Sequence, residues 1–281
     1  MEIYTQQEKL KNTISTYKKS GKSIGFVPTM GALHEGHLSL IYKSLSENDL
    51  TVVSIFVNPT QFNNAEDLDK YPRTLEADVE KIKKVSEEVI LYAPSVEDVY
   101  DKDVVSEKFN FEGLDKVMEG KFRPGHFDGV GTVVKKLFQI VTPDKAYFGE
   151  KDYQQLLIIK KMVAQTKLPV DVIGCPIVRD ERGLALSSRN QRLSEDRREE
   201  AAYIYQVLQE VRNQFSTKNP IEIEKWVKQQ FETKKDFELE YFSIAEADTL
   251  AEIVEKKSGK KYRSFIVVYV DGIRLIDNLE M

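Results

Sequence analysis

The sequence predicts an α/β protein: a Rossmann-like parallel sheet with helices on both faces, plus a smaller α+β C-terminal domain. Three observations lead there. Short, continuously apolar strand-like stretches alternate with helical patterns up to about residue 175, the way a parallel sheet buried on both faces reads. Beyond that point the alternation stops and a long amphipathic helical pattern follows. The last stretch holds two longer strand-like runs with Asp271-Gly272 after the second, a two-residue hairpin signal. The expected organisation is therefore residues 1–175 and residues 176–281.

Ser23 to Val27 reads as a short buried strand ending at Pro28, and Leu38 to Ser46 as a helix. Leu50 to Val57 is a second strand, rich in β-branched residues and stopped by Asn58 and Pro59. Glu88 to Ala93 is a third, Lys145 to Phe148 a fourth and Pro169 to Gly174 a fifth. Between them, Val130, Val133, Val134, Leu137, Phe138 and Val141 follow the rhythm of one helix face, predicting a helix over Gly129 to Val141. Asp152 to Gln165 is another, with Asp152 as a plausible N-cap. Arg179 to Gly183 reads as a tight turn. One long helix is expected from Glu195 to Phe215, with Ala201, Ile204, Tyr205, Leu208 and Val211 on one face, and a second after Pro220. Glu238 to Ile244 and Tyr262 to Val270 complete the tail as strands.

Composition sets bounds. Hydrophobic residues make up 41% and charged residues 31%, enough apolar material for a real core. The net charge of -5, from 41 basic and 46 acidic side chains well mixed along the chain, argues against a nucleic-acid-binding surface. No apolar run approaches the roughly 20 residues of a membrane helix, and Met1 to Ser15 lacks a signal-peptide apolar segment. The single Cys175 forms no internal disulfide. The expectation is a cytoplasmic protein with no nucleic-acid or membrane partner.

Two regions carry chemistry. Pro28-Thr29-Met30-Gly31-Ala32-Leu33-His34-Glu35-Gly36-His37 joins the first strand to a helix. Two histidines three residues apart near a helix start can point the same way. The helix N-terminus adds unsatisfied N–H groups and partial positive charge, a setting suited to phosphate. A metal pair and a purely structural role are the alternatives. Downstream, Phe148-Gly149-Glu150-Lys151-Asp152-Tyr153-Gln154-Gln155 again joins strand to helix, and Lys151 offers a point charge to phosphate. Gly183-Leu184-Ala185-Leu186-Ser187-Ser188-Arg189-Asn190 sets two hydroxyls beside a guanidinium, which matches phosphate oxygens as a fork; a plain N-cap is the alternative there.

Together these segments resemble the pantothenate synthetase family, within the nucleotidyl-transferase superfamily shared with class I aminoacyl-tRNA synthetases. Phe56-Val57-Asn58-Pro59-Thr60-Gln61-Phe62, Arg123-Pro124-Gly125-His126-Phe127 and Arg274-Leu275-Ile276-Asp277-Asn278 add to the likeness. Leu186 stands where methionine is expected, which leaves a backbone contact intact.

The resemblance implies an enzyme that joins pantoate to β-alanine with ATP through a pantoyl adenylate, releasing AMP and pyrophosphate. It implies that His34 and His37 bind the ATP phosphates, with His37 acting at the α-phosphate. Lys151, Ser187, Ser188 and Arg189 would neutralise the departing pyrophosphate. Met30, Gly31, Ala32, Leu33, Glu35 and Gly36, with Gly149, Glu150, Asp152, Val178 and Leu186, would line the nucleotide site. Gln61 and Gln155 would hold pantoate. Magnesium is expected with ATP, with Asp78 as a possible ligand; an exposed helix aspartate is the other reading. Arg123 either grips the β-alanine carboxylate or is an ordinary surface arginine. The C-terminal domain would close over the ATP site. The segments Glu119 to Phe127 and Asn58 to Arg73 carry Gly, Pro and Asn between ordered elements, and one or both would close over the site as well. The family suggests a homodimer; Phe109 to Val117 could supply its interface or belong to the core.

Overall fold

Strand β2 (Ile24–Thr29) lies inside the main sheet because nearly every residue on it is buried. The computed structural model describes residues 1–62, 68, 69 and 71–281. The chain divides into two compact units. The first comprises Met1–Glu150 and Gln154–Pro176, the second Lys151–Tyr153 and Ile177–Met281.

In the first unit, β1 (Glu2–Tyr4), α1 (Gln7–Lys19), β2, α2 (Glu35–Glu47) and β3 (Leu50–Ile55) follow in order. A 3-10 turn, Pro59–Gln61, precedes α3 (Leu75–Val85), β4 (Ile90–Tyr92), α4 (Val96–Tyr100) and α5 (Glu119–Phe122). Then come α6 (His126–Val141), β5 (Lys145–Gly149), a 3-10 turn Glu150–Asp152, α7 (Tyr153–Thr166) and β6 (Asp171–Cys175), with Lys151–Tyr153 counted in the second unit. The six strands form one sheet in the order β1-β4-β3-β2-β5-β6, with every pair parallel. Chain order reverses between β2 and β5. In open sheets of this kind, ligands collect at the carboxyl ends of the strands flanking that reversal.

Alternation along β2 sorts the two faces. Val27 packs with Leu38 and Ile41 of α2, Ile82 of α3, Val53, Leu91 and Tyr147. Phe26 points the other way, edge-on to Phe138 of α6 at 6.1 Å between ring centroids. Phe138 in turn meets Phe148 of β5. Such aromatic pairs contribute about 0.5–1.5 kcal/mol beyond the area they bury. Phe111 and Leu114 are buried within the unit, so both belong to the core rather than to a free apolar face.

Three sequence expectations change here. Strand β1 has no counterpart in the sequence reading; it is three residues long and pairs only along β4, so backbone bonding makes it without an apolar run. Asp152 is no N-cap, because it closes the 3-10 turn that leads straight into α7. The helix over 129–141 starts earlier, at His126, where Gly125 takes a left-handed conformation (φ 81°).

The second unit contains a 3-10 turn (Ser188–Arg192), α8 (Glu195–Ala201), α9 (Tyr203–Phe215), α10 (Pro220–Glu232) and strands β7 (Phe237–Glu246), β8 (Tyr262–Val270) and β9 (Ile273–Glu280). The strands form an antiparallel meander, β7-β8-β9. Asp271 and Gly272, both at positive φ, make its two-residue hairpin turn. The single helix expected over 195–215 is two, broken at Ala202, whose N–H reaches back to Glu199 in a tighter turn. The core gathers Ile204, Leu208 and Val211 of α9, Ile223, Val227 and Phe231 of α10, and Phe242, Ile266 and Val268 of the sheet. No helix among the described residues is long and apolar enough to cross a membrane.

Candidate active site

The first unit presents the histidine loop at the carboxyl end of β2, beside the sheet's reversal point. Gly31 and Ala32 both take positive φ, 87° and 51°. A non-glycine residue there is held against its own preference. What holds it is Asp78 on α3: one carboxylate oxygen accepts from Ala32 N–H at 2.9 Å and the other from Leu33 N–H at 2.7 Å. The Thr74 hydroxyl donates to the same carboxylate at 3.1 Å. Asp78 is fully buried. It is therefore not an exposed helix aspartate: both its oxygens accept hydrogen bonds from the loop. The N–H groups of Ala32 and Leu33 are likewise occupied.

The two histidines are tied to the start of α2 by a reciprocal cap. His34 is the N-cap, and its Nδ1 accepts from Gly36 N–H at 3.1 Å. His37, three residues on, accepts at its Nδ1 from His34 N–H at 3.3 Å. A backbone N–H only donates, so in each neutral ring Nδ1 is the bare nitrogen and the proton sits on Nε2. Both imidazoles then present an Nε2–H donor, and the rings lie 4.1 Å apart between centroids. The sequence signalled the pair but not the cap, because histidine is not among the usual capping residues.

Gln61 ends the 3-10 turn that follows β3 and is buried. Its amide nitrogen lies 2.7 Å from Met30 Sδ, and its Oε1 accepts from Asn58 Nδ2 at 3.3 Å. Asn58 is itself held by the Tyr100 hydroxyl, 2.7 Å, and by Gly129 O, 3.2 Å. His126 Nδ1 donates to Gln61 O at 2.7 Å, fixing its tautomer. So Met30 and Gln61 share one network, anchored by Asn58, Tyr100 and His126, which the sequence reading left without roles. Residues 63–67 and 70, within the Asn58 to Arg73 segment, lie outside the described residues.

Gly149 ends β5 and Glu150 follows it in this unit. Gln155 is half-buried on α7. Its neighbour Gln154 is buried, donating to Leu114 O (2.7 Å) and Val117 O (2.8 Å) and accepting from Glu119 N–H (3.0 Å). That ties down the start of the Glu119 to Phe127 segment. Arg123 caps α5 and is partly exposed.

The second unit holds the other candidates. Lys151 O accepts from Asn278 Nδ2 at 2.9 Å, and Asn278 Oδ1 accepts from Arg263 Nη1 at 2.5 Å. The Lys151 ammonium lies 3.7 Å from Asp152 Oδ2. Leu186 N–H donates to Val178 O, and an isolated bridge joins Arg179 to Ala185, so the two flanks of the 180–183 turn run together. Arg179 forms a two-point fork to Asp277, 2.6 and 2.8 Å, while its face lies 3.7 Å from the Tyr205 ring. Ser187 accepts from Arg189 N–H at 3.3 Å and caps the Ser188–Arg192 turn. Burial pushes the Asp277 carboxyl up, and Arg179 opposes that shift.

Among the described residues no group of three or more His, Cys, Asp or Glu side chains could hold a metal ion.

These features define a class: a parallel α/β protein with a histidine-capped helix start at the reversal point of its sheet, joined to a small unit with an antiparallel sheet. Comparison with known proteins narrows it. The sequence profile described as pantoate-beta-alanine ligase matches residues 2–280. A pantothenate synthetase from Flavobacterium psychrophilum is 55% identical over 281 residues, covering all of both chains. The crystal structure of pantoate-beta-alanine ligase (pantothenate synthetase) from Thermus thermophilus superimposes with a TM-score of 0.90 at 39% identity, covering 100% of this chain and 99% of that one. One from Francisella tularensis, complexed with beta-gamma ATP and beta-alanine, gives 0.81 at 38% identity, covering 100% and 97%. The chain belongs to the pantoate-beta-alanine ligase family.

Proposed function

We propose that this enzyme joins pantoate to β-alanine at the expense of ATP in two displacements. A pantoate carboxylate oxygen attacks the α-phosphorus, the bond to the bridging oxygen breaks, and pyrophosphate leaves. The β-alanine nitrogen then attacks the adenylate's carbonyl carbon, AMP departs, and the amine loses a proton. The observation that carries the reading is the double Nε2–H display of His34 and His37 at the start of α2.

Their role follows from charge. As pentacoordinate phosphorus forms, negative charge builds on its equatorial oxygens. Fixed N–H donors aimed at that position stabilise it without reorganising. His37 acts at the α-phosphate and His34 beside it. Lys151, Ser187, Ser188 and Arg189 take the pyrophosphate. Met30, Gly31, Ala32, Leu33, Glu35, Gly36, Gly149, Glu150, Asp152, Val178 and Leu186 line the nucleotide site. Gln61 and Gln155 hold pantoate, and Arg123 the β-alanine carboxylate. Magnesium bound to the triphosphate would screen its charge. The unit containing residues 177–281 closes over the first once ATP is bound, which excludes water from the adenylate. A cytoplasmic homodimer completes the proposal.

The test is product analysis. ATP, magnesium, pantoate and β-alanine should yield pantothenate with AMP. Exchange of labelled pyrophosphate into ATP should require pantoate and proceed without β-alanine. Formation of ADP, or exchange with neither acid present, would reject the reading in favour of a different phosphate chemistry.

A further inference from the structure

We propose that Asp78 and Lys81, one turn apart on α3, are positioning residues that hold the histidine loop in its working shape. This rests on the activity proposed above. Asp78 accepts from Ala32 and Leu33 N–H at 2.9 and 2.7 Å. Lys81 Nζ donates to Leu33 O at 2.5 Å. One helix face thus grips both polar ends of Leu33, whose side chain is fully buried among the residues under the sheet. The next residue is His34.

The loop needs such a grip. Successive N–H groups around a left-handed turn converge to form an anion-binding hollow; here the anion is the protein's own carboxylate. Gly31 comes so near that a Cβ added to it would stand 3.2 Å from Asp78 Oδ2. Ala32 and Leu33 are buried, so without the carboxylate their N–H groups would have no water to turn to. The loop would relax from positive φ, and the extended backbone of His34 (φ -138°, ψ 173°) that aims both rings would move with it.

The test compares the full-length wild type with D78N, K81M and K81R below their unfolding temperatures, with active sites titrated by the burst of adenylate. D78N keeps the size of the side chain but loses one acceptor, and kcat/KM for ATP should fall about 10- to 100-fold per titrated site, the scale of a small misplacement of catalytic groups. K81M should lose about 3- to 10-fold, and K81R, which can still donate to the carbonyl, should recover to within about twofold. KM for β-alanine and the magnesium concentration for half-maximal rate should stay put. Parity of D78N and K81M with wild type overturns the proposal. So does a loss confined to the number of titrated sites, which marks folding alone, or a D78N effect that magnesium relieves, which marks a metal ligand. Should D78N fail to fold, K81M and K81R decide the matter. A wild type that makes no pantothenate rejects the proposed activity instead, and does so before any variant is compared.

Discussion

Removing the Asp277 carboxylate should cost the second unit much of its stability. Asp277 is almost wholly buried and Arg179 shows only 14% of its side chain to solvent. The two form a fork at 2.6 and 2.8 Å. Asp277→Ala leaves the guanidinium buried without its counter-charge, and arginine cannot shed its proton to escape. Breaking such a pair from one side costs about 3–5 kcal/mol. Arg179 keeps Gly183 O at 3.0 Å and the Tyr205 face at 3.7 Å, which places the loss at the lower end, about 3 kcal/mol. At about 2–4 °C per kcal/mol for a chain of this size, the midpoint should drop about 6–12 °C. Arg179→Met leaves a carboxyl that burial already pushes up, so it can neutralise itself by taking a proton. Thermal unfolding by circular dichroism of both single variants and the double would measure the coupling, and the double should lie at least about 1 kcal/mol above the sum of the singles. A drop below about 1 kcal/mol for Asp277→Ala, or simple additivity, would show that the fork does not hold the turn before Ser187.

Three other outcomes follow from the packing. Hydrogen bonds, first from Lys43 and then from Tyr147, hold the Glu47 carboxyl down to about 2 from its ordinary 4.5. A depressed carboxyl stabilises the fold above its ordinary value and loses that as pH falls towards the folded one, so the midpoint gap between wild type and Glu47→Gln should be full at neutral pH and close between about pH 4.5 and 2. A gap that persists at low pH would exclude this ion pair as its cause. Burial pushes the Cys175 thiol up to about 11, leaving about one thiolate in a thousand at pH 8. A thiol reagent should label native protein at least about 100-fold more slowly than unfolded protein, and equal rates would place the thiol at the surface. Finally, a Cβ on Gly129 would come within 2.8 Å of Gln61 Cα. Gly129→Ala should cost about 1–3 kcal/mol and raise KM for pantoate by displacing the turn that carries Gln61; an unchanged KM would separate that turn from the substrate.

What the sequence disclosed, and what it hid, divides by distance along the chain. The strand-to-helix loops at 28–37 and 148–155 were legible because glycine, histidine and lysine sit next to one another where a strand pattern gives way to a helix pattern. The hairpin at Asp271-Gly272 was legible for the same local reason. Asp78 was misjudged because its partners lie 45 and 46 residues upstream, and nothing in a helix beginning Leu-Glu-Ala-Asp shows which carboxylate turns inward. Asn278 lies 127 residues from the Lys151 carbonyl it holds. Strand β1 gave no signal, since an edge strand that bonds only through its main chain needs no hydrophobic rhythm. The break at Ala202 was invisible because alanine favours helix on both sides of it.

The capping of α2 by its own histidines gives positions 34 and 37 a structural duty beside their chemical one. Each ring works at two atoms at once, its inner nitrogen answering a peptide N–H at the helix start and its outer one carrying the proton. Asparagine could imitate the inner atom and glutamine the outer, but a primary amide is too small to be both. The imidazole acts as a rigid spacer of fixed polarity, and at this site that shape matters as much as its capacity to carry a proton.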